Sequence, residues 1–420
     1  MVEAYERTES LIERLHNSKK DKNIILNPDY LDDEKLPEEE RTAVLREIFN
    51  RSIREKQLTK LVKHLMPILD GSHPPSLVIF GPTGSGKTAT LLHFLSIFQK
   101  VCHKKGKLFH YAYIDLTSPK TYFGALNEVA IALDDSLKRY RKGIPIALMQ
   151  ERIVDSLKDY KGFICLLIDE ADNIKPNVDE FLTFLGKTLP RKVSCRLVLI
   201  MLTNRLDWEK TLDPRIFSFL KKSDLIFEPY DACDLLEILK LRVEKALDKS
   251  KVDLGALNKI AAYASHETGD ARRAVELLVK SVKIAEETTG ILTETEVDLA
   301  AQTLEIDKTE ELIKTLASQQ RLTLIACYSV LNAKAGRKLT TGQVYQSYVS
   351  HCENEGVRPL TQRRLSDMIS FLDLYGLINA RVISHGRYGK TREITGSLPQ
   401  EIVLRLIKEY IYLDHSKTQN

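Results

Sequence analysis

The sequence predicts a mixed α/β protein: a doubly wound, mostly parallel sheet first, an all-helical segment after it, and a small C-terminal domain of helices closed by a β-hairpin. Three observations predict this. Short apolar runs alternate with helical spacing up to about residue 230, and only helical spacing follows from Asp231 to about Leu304. Beyond that, three more helical patterns precede two strand-like runs joined by a glycine-containing turn. The expected domains are therefore 1–230, 231–305 and 306–420.

A length of 420 residues with 43% hydrophobic residues is enough for about two to four buried cores. No apolar run reaches bilayer length, and Glu3, Glu6, Arg7 and Glu9 near Met1 leave no signal-peptide core, so a soluble, cytoplasmic protein without a membrane partner is expected. The cysteines at 102, 165, 195, 233, 327 and 352 are scattered, which predicts neither a disulfide framework nor a zinc site. The net charge of +4 is unevenly placed. From Lys334 to Arg392 ten Lys or Arg face four Asp or Glu, so this segment carries +6 and the remainder about −2. Such a local surplus fits a polyanion partner, and a solvated basic face fits it as well.

Residues 1–50 are polar, and the run Asp32 to Glu40 buries little, so an extended arm is expected before Arg41 and helix from there. Leu58, Leu61, Val62 and Leu65 keep helical spacing. A segment in this place often closes over a bound base; for Arg54 and Glu55, surface charge is the expected role. The apolar run Ser76 to Phe80 then leads into Gly81-Pro82-Thr83-Gly84-Ser85-Gly86-Lys87-Thr88 and a helix opening at Ala89. A strand, a glycine-rich turn and a helix start direct successive backbone N–H groups at phosphates. Lys87 is placed to reach the β- and γ-phosphates and the Thr88 hydroxyl to ligate Mg²⁺.

Leu108 to Asp115 reads as the second strand, followed by a mostly helical stretch to about Tyr160. Within it Lys138, Arg139, Arg141 and Lys142 form a basic cluster, the usual mark of a basic helix end. The third strand, Phe163 to Asp169, ends in Asp169-Glu170 about eighty residues beyond Lys87. There Asp169 is placed to hold the Mg²⁺ and Glu170 to polarise an attacking water. Arg196 to Thr203 gives a fourth strand, ending on Asn204; that side chain is placed either to bond the γ-phosphate or water, or simply to close a turn. Leu225 to Glu228 is the expected fifth strand.

In the helical segment the apolar sets Leu235, Ile238, Leu239 and Leu241, then Leu254, Leu257, Ile260 and Ala261, then Ala274, Leu277 and Leu278 mark amphipathic helices. Gly269-Asp270-Ala271-Arg272-Arg273 opens one of them, so Arg272 or Arg273 is placed to reach back to nucleotide phosphates. The C-terminal helices, Leu322 to Leu331, Val344 to Cys352 and Leu365 to Leu372, precede a hairpin of Leu377 to Ile383 and Arg392 to Ile394. That layout is a winged helix-turn-helix. Arg363 and Arg364 fall near the start of its recognition helix, and Arg387, Tyr388, Lys390 and Arg392 at or beside the hairpin tip. A protein-docking winged helix has the same layout.

Together these residues resemble one family, the archaeal origin-recognition and replication-initiator proteins, the initiator branch of the AAA+ ATPases. The likeness covers nearly the whole chain and rests on Gly81 to Thr88, Leu167 to Asp172, Leu202 to Asn204, Gly269 to Arg272, Thr341 to Tyr345 and Gly386 to Thr391. The resemblance implies an ATP- and ADP-binding AAA+ domain with a helical lid, a weak ATPase used as a switch. It implies that Asn204 is the first sensor, Arg272 the second and Arg215 a candidate arginine finger acting on a neighbour. It also implies a DNA-contacting insertion between Tyr122 and Gln150, which would turn Lys138, Arg139, Arg141 and Lys142 to DNA. Origin duplex DNA, an MCM-type replicative helicase and other initiator paralogues are the implied partners, in a nucleoid-associated setting. The family often reads Pro-His-Arg-Glu where this chain has Arg51 to Glu55, and often a hydrophobic residue at the place of Ala171. A transcription regulator on the same fold and a protein-directed AAA+ remodeller are the other readings.

Overall fold

The computed structural model describes residues 22–32, 35–118, 121–134, 136, 144–174, 177–216, 223–333, 338–384, 390–399 and 402–405. The chain divides into two compact units, Met1–Asp298 and Leu299–Asn420.

The first unit opens with α1 (Glu38–Asn50) and α2 (Glu55–Leu65). α1 starts three residues before the expected Arg41, inside the acidic run. Pro37 precedes it, and glutamates in a first turn meet the positive end of the helix dipole, so the run favours a helix start over an extended arm. In α2, Leu61 and Leu65 are buried while Val62 faces outward. Then come β1 (Leu77–Phe80), α3 (Lys87–Lys104), β2 (Phe109–Asp115), α4 (Tyr122–Leu133), α5 (Ile146–Leu157), β3 (Phe163–Asp169), α6 (Val178–Thr183), β4 (Arg196–Thr203) and β5 (Ser223–Ile226). All five strands pair in parallel in the order β2-β3-β4-β1-β5.

Both faces of this sheet are covered, which is why β3 is buried along its whole length and apolar up to Ile168. Val78, Phe80, Ile168 and Met201 face the core shared with α4, α5 and α6. Their alternate neighbours Leu77, Ile79, Leu167 and Ile200 face α2 and α3, against Leu61, Leu91 and Phe94. β5 lies two residues earlier than expected. Phe227 continues the ladder by one bond, its N–H donating to Phe80 O at 2.7 Å, and is itself wholly buried.

The rest of the first unit is helical: α7 (Ala232–Ala246), α8 (Leu254–Glu267), α9 (Ala271–Glu287) and the start of α10 (Glu294–Thr315). Side chains of Asp231, Asp253 and Asp270 accept from backbone N–H groups to cap α7, α8 and α9. Of the expected apolar positions Leu254 alone points outward, since it is the first residue of its helix; the others are buried. An N-terminal strap is hydrogen-bonded to these helices. The N–H groups of Ile24 and Ile25 donate to Glu286 Oε1 at 2.7 and 2.9 Å, and those of Leu26 and Asn27 to Ala246 O at 2.8 and 3.0 Å. Ile24 is fully buried.

The second unit holds α11 (Ser318–Ala333), β6 (Leu339–Thr340), α12 (Thr341–Asn354), α13 (Gln362–Leu374), β7 (Ile378–Ser384) and β8 (Lys390–Gly396). β7 and β8 form an antiparallel hairpin, and β6, which the sequence did not announce, pairs with the other edge of β8. The buried Tyr328 hydroxyl on α11 donates to Leu377 O at 2.8 Å and accepts from the N–H groups of Ser397 and Leu398, tying the hairpin's two ends to the helices. Among the described residues no helix is long and apolar enough to cross a membrane.

Candidate functional site

The C-terminal ends of β1, β3 and β4 are adjacent in the sheet, so the loop Gly81–Thr88, the pair Asp169-Glu170 and Asn204 converge from remote parts of the sequence. Gly84 and Gly86 lie at φ +69° and +76°, the left-handed region that lets this loop turn into α3. Lys87 is only 7% exposed. Its ammonium donates to Gly81 O at 2.8 Å, Pro82 O at 2.9 Å and Asn204 Oδ1 at 2.7 Å. Burial lowers its pKa, partly offset by Glu170 and Asp169, and the nearby Arg272 adds to the lowering.

Asn204 spans the site. While its oxygen accepts from the Lys87 ammonium, its Nδ2 donates to both Glu170 carboxylate oxygens, at 2.7 and 2.8 Å. Glu170 sits at φ +52°, and burial raises its pKa, with the Asn204 bonds opposing. Asp169 is held apart from this chain of contacts. Its Oδ2 accepts from Thr88 Oγ1 at 2.6 Å and its Oδ1 from the Glu170 N–H at 3.0 Å. A lysine, a hydroxyl and two carboxylates at a glycine turn are a donor set that fits a metal-bound polyphosphate. Pro82, Thr83, Ser85 and Ala89 complete the loop and the first turn of α3; Thr83 is exposed and Ser85 buried.

The start of α9 docks on this loop. Ala271 N–H donates to Gly84 O at 3.3 Å, and a Cβ built on Gly84 would stand 1.6 Å from Asp270 Oδ1. Arg273 is bound up with Glu267 at 3.0 Å and Glu276 at 2.8 Å, whereas Arg272 is exposed and has no side-chain bond among the described residues. Of the two arginines, Arg272 is thus the one placed to turn toward the loop. Arg215 stands apart, its side chain 88% exposed and paired with Asp213, whose carboxyl it holds down at about 2.

Arg54 corrects the sequence reading. Expected as surface charge, it is 7% exposed and left-handed at φ +65°, with Nη2 donating to Ser85 O at 2.8 Å and Glu228 O at 2.7 Å. Its guanidinium lies 3.9 Å from the Tyr230 ring centroid, and Tyr230 in turn covers Gly86. Sequence spacing held no signal for this, since the contacts join three separate segments. Glu55 is exposed, as expected.

In the second unit Arg363 and Arg364 are exposed in the first turn of α13 and make no side-chain bond among the described residues. Arg392 is half-buried, and its Nη1 donates to Ser366 O at 2.6 Å, linking β8 to α13. Lys390 starts β8 opposite Ser384. Arg387 and Tyr388, like Lys138, Arg139, Arg141 and Lys142, lie outside the described residues.

Three family models match the chain: an AAA domain over residues 68–208, a Cdc6 AAA+ ATPase-type lid domain over 236–302, and a CDC6 C-terminal winged helix domain over 311–405. The ORC1-type DNA replication protein 1 of Sulfolobus acidocaldarius is 36% identical over 85% of this chain and 88% of its own. The ORC1-type DNA replication protein of Pyrococcus horikoshii is 35% identical over 81% of this chain and 82% of its own. The structure of the Aeropyrum pernix ORC1 protein in complex with DNA is 28% identical, with a TM-score of 0.67 over 92% of this chain and 97% of that one. An AAA+ ATPase domain, its lid and a winged helix in one chain, at this identity over this length, place the protein in the family of archaeal ORC1-type DNA replication initiators.

Proposed function

We propose that the protein binds ATP with Mg²⁺ at the Gly81–Thr88 loop and uses the ATP or ADP state as a switch on its grip of origin duplex DNA. The observation that carries this reading is the convergence of Lys87, Thr88, Asp169, Glu170 and Asn204 with the start of α9 docked on Gly84. Bound ATP-Mg²⁺ supplies a scissile phosphoanhydride and the charge that activates it. Lys87 gives up its loop carbonyls and Asn204 to pair with phosphate oxygens, and Thr88 with Asp169 holds the cation. Release of Lys87 leaves the Asn204 amide oxygen to accept from the attacking water, while its Nδ2 keeps Glu170 ionised and oriented to take the water's proton. Arg272 turns from solvent to the phosphates, so the state of the γ-phosphate is felt by the lid, residues 231–305. Arg215, exposed and away from these groups, acts as the finger of a neighbouring copy or paralogue, which makes an isolated chain a weak ATPase.

On the DNA side, Arg363 and Arg364, exposed at a helix start and without a side-chain partner among the described residues, support a base- or phosphate-contacting recognition helix within residues 306–420. Arg387, Tyr388, Lys390 and Arg392 at the wing, and Lys138, Arg139, Arg141 and Lys142 in the AAA+ domain, extend that footprint. The Arg392 bond to Ser366 supports a role in fixing the wing to α13 beside any DNA contact. The DNA-bound form recruits an MCM-type helicase in the cytoplasm, at the nucleoid.

The test is equilibrium binding of the full chain to duplexes from its own genome and to scrambled duplexes, at fixed salt, with ATP and with ADP. Selective binding that differs between nucleotides is expected, with a slope of log K on log salt near −4.5 for about five neutralised phosphates. Arg363→Ala and Arg364→Ala should each lose about 1 to 3 kcal/mol where they read bases. Equal affinity for scrambled duplex would sink the proposal.

A further inference from the structure

β2 borders β3 in parallel register, with Tyr113 opposite Leu167 and Asp115 opposite Asp169. From that position the Tyr113 hydroxyl reaches along the strand and donates to Asp169 Oδ2 at 3.1 Å. This is the same oxygen that accepts from Thr88 Oγ1 at 2.6 Å, while Asp169 Oδ1 accepts from the Glu170 N–H. Three donors from three directions therefore fix both oxygens and the plane of one carboxylate.

The arrangement bears on Thr88. A hydroxyl has one proton and two lone pairs. With its proton committed to Asp169 Oδ2, Thr88 Oγ1 has its lone pairs left for a cation. That commitment holds only while Oδ2 stays where it is, and a second donor on Oδ2 makes turning the carboxylate away cost one more hydrogen bond. Tyr113 is that donor. A phenol is un-ionised across physiological pH, so Tyr113 remains a donor there.

We infer that Tyr113 is a positioning residue for the divalent cation, locking the Asp169 carboxylate so that Thr88 presents its oxygen to the metal. The inference rests on the nucleotide-site reading above. Groups that orient a metal-binding carboxylate typically matter about 10- to 100-fold in metal affinity.

The test is a Mg²⁺ titration of the full chain with a fluorescent ATP analogue, starting from EDTA, alongside a melting curve without nucleotide. Tyr113→Phe keeps the ring and removes the donor. It should raise the Mg²⁺ midpoint about 10-fold or more, with EDTA-baseline nucleotide affinity and melting temperature unchanged. Thr88→Ala is the reference and should lose the Mg²⁺ dependence altogether. If Thr88→Ala loses it and Tyr113→Phe matches wild type within about twofold, the inference is wrong and the site reading stands. A Tyr113→Phe protein that melts early and binds nucleotide equally poorly with and without Mg²⁺ would make Tyr113 a packing residue, again against the inference. Wild-type binding indifferent to Mg²⁺ would remove the site reading and this inference with it.

Discussion

Gly84→Ala tests the contact between the phosphate-binding loop and the lid. At φ +69° an alanine pays about 1 to 2 kcal/mol for the left-handed backbone. Its Cβ would also stand 1.6 Å from Asp270 Oδ1 and 2.0 Å from Asp270 Cγ, so the Asp270 carboxylate has to leave. Leaving breaks its bond to the Arg272 N–H, the cap of α9, at about 1 kcal/mol, and strains the Ala271 to Gly84 hydrogen bond by about 0.5 kcal/mol more. The expected cost of Gly84→Ala is about 3 kcal/mol and of Asp270→Ala about 1 kcal/mol. In the double variant the cap is lost once and no carboxylate stands in the way, giving about 2.5 kcal/mol where simple addition gives about 4. Trp208, the single tryptophan of the chain and buried in the sheet core, reports unfolding of this unit by fluorescence in urea. Additivity within about 0.5 kcal/mol would refute the clash, and with it the docking of α9 on the loop.

Three further outcomes follow from the same site. Arg54→Met removes two charge-assisted bonds and a cation–π contact while relieving a buried charge; a net loss of about 2 to 4 kcal/mol in the Trp208 transition is expected, and a loss under about 0.5 would show that Arg54 bridges nothing of consequence. Asn204→Ala takes away the bonds that stabilise the ionised Glu170, so the already raised Glu170 pKa should rise further. A base works ionised, hence the acid limb of ATP turnover should move to higher pH in Asn204→Ala, whatever its amplitude. Glu170→Gln should bind nucleotide and show no turnover, and an unmoved limb would take Glu170 out of the proton path.

How much of this was legible beforehand depends on how local each signal is. The strand ends carrying Lys87, Asp169 and Asn204 were readable because apolar runs bounded by turn chemistry announce themselves within a few residues. Their convergence followed from the parallel sheet. Arg54 was misread because its burial comes from Ser85, Glu228 and Tyr230, and no spacing encodes a contact among separate segments. Tyr113 was hidden for a related reason: as one aromatic in a strand it reads as sheet filler, and only the β2–β3 register brings its hydroxyl to Asp169. The two-residue β6 is too short for any periodicity, and β5 starts earlier because the polar Ser223 and Asp224, which carry no apolar signal, pair with Leu77 and Val78. The acidic start of α1 was a competition between polar composition and the helix dipole, and the dipole won.

The strap at Ile24 to Asn27 changes what a moving lid means for this chain. The helices α7 to α9 are reached covalently from the sheet through Phe227 to Asp231, and they are gripped a second time where Ile24 and Ile25 meet Glu286 and Leu26 meets Ala246. With α9 also docked on Gly84, the strap adds a grip on the side of these helices away from the covalent link, so cutting it is expected to loosen α7 to α9 without touching a single residue at the phosphate loop.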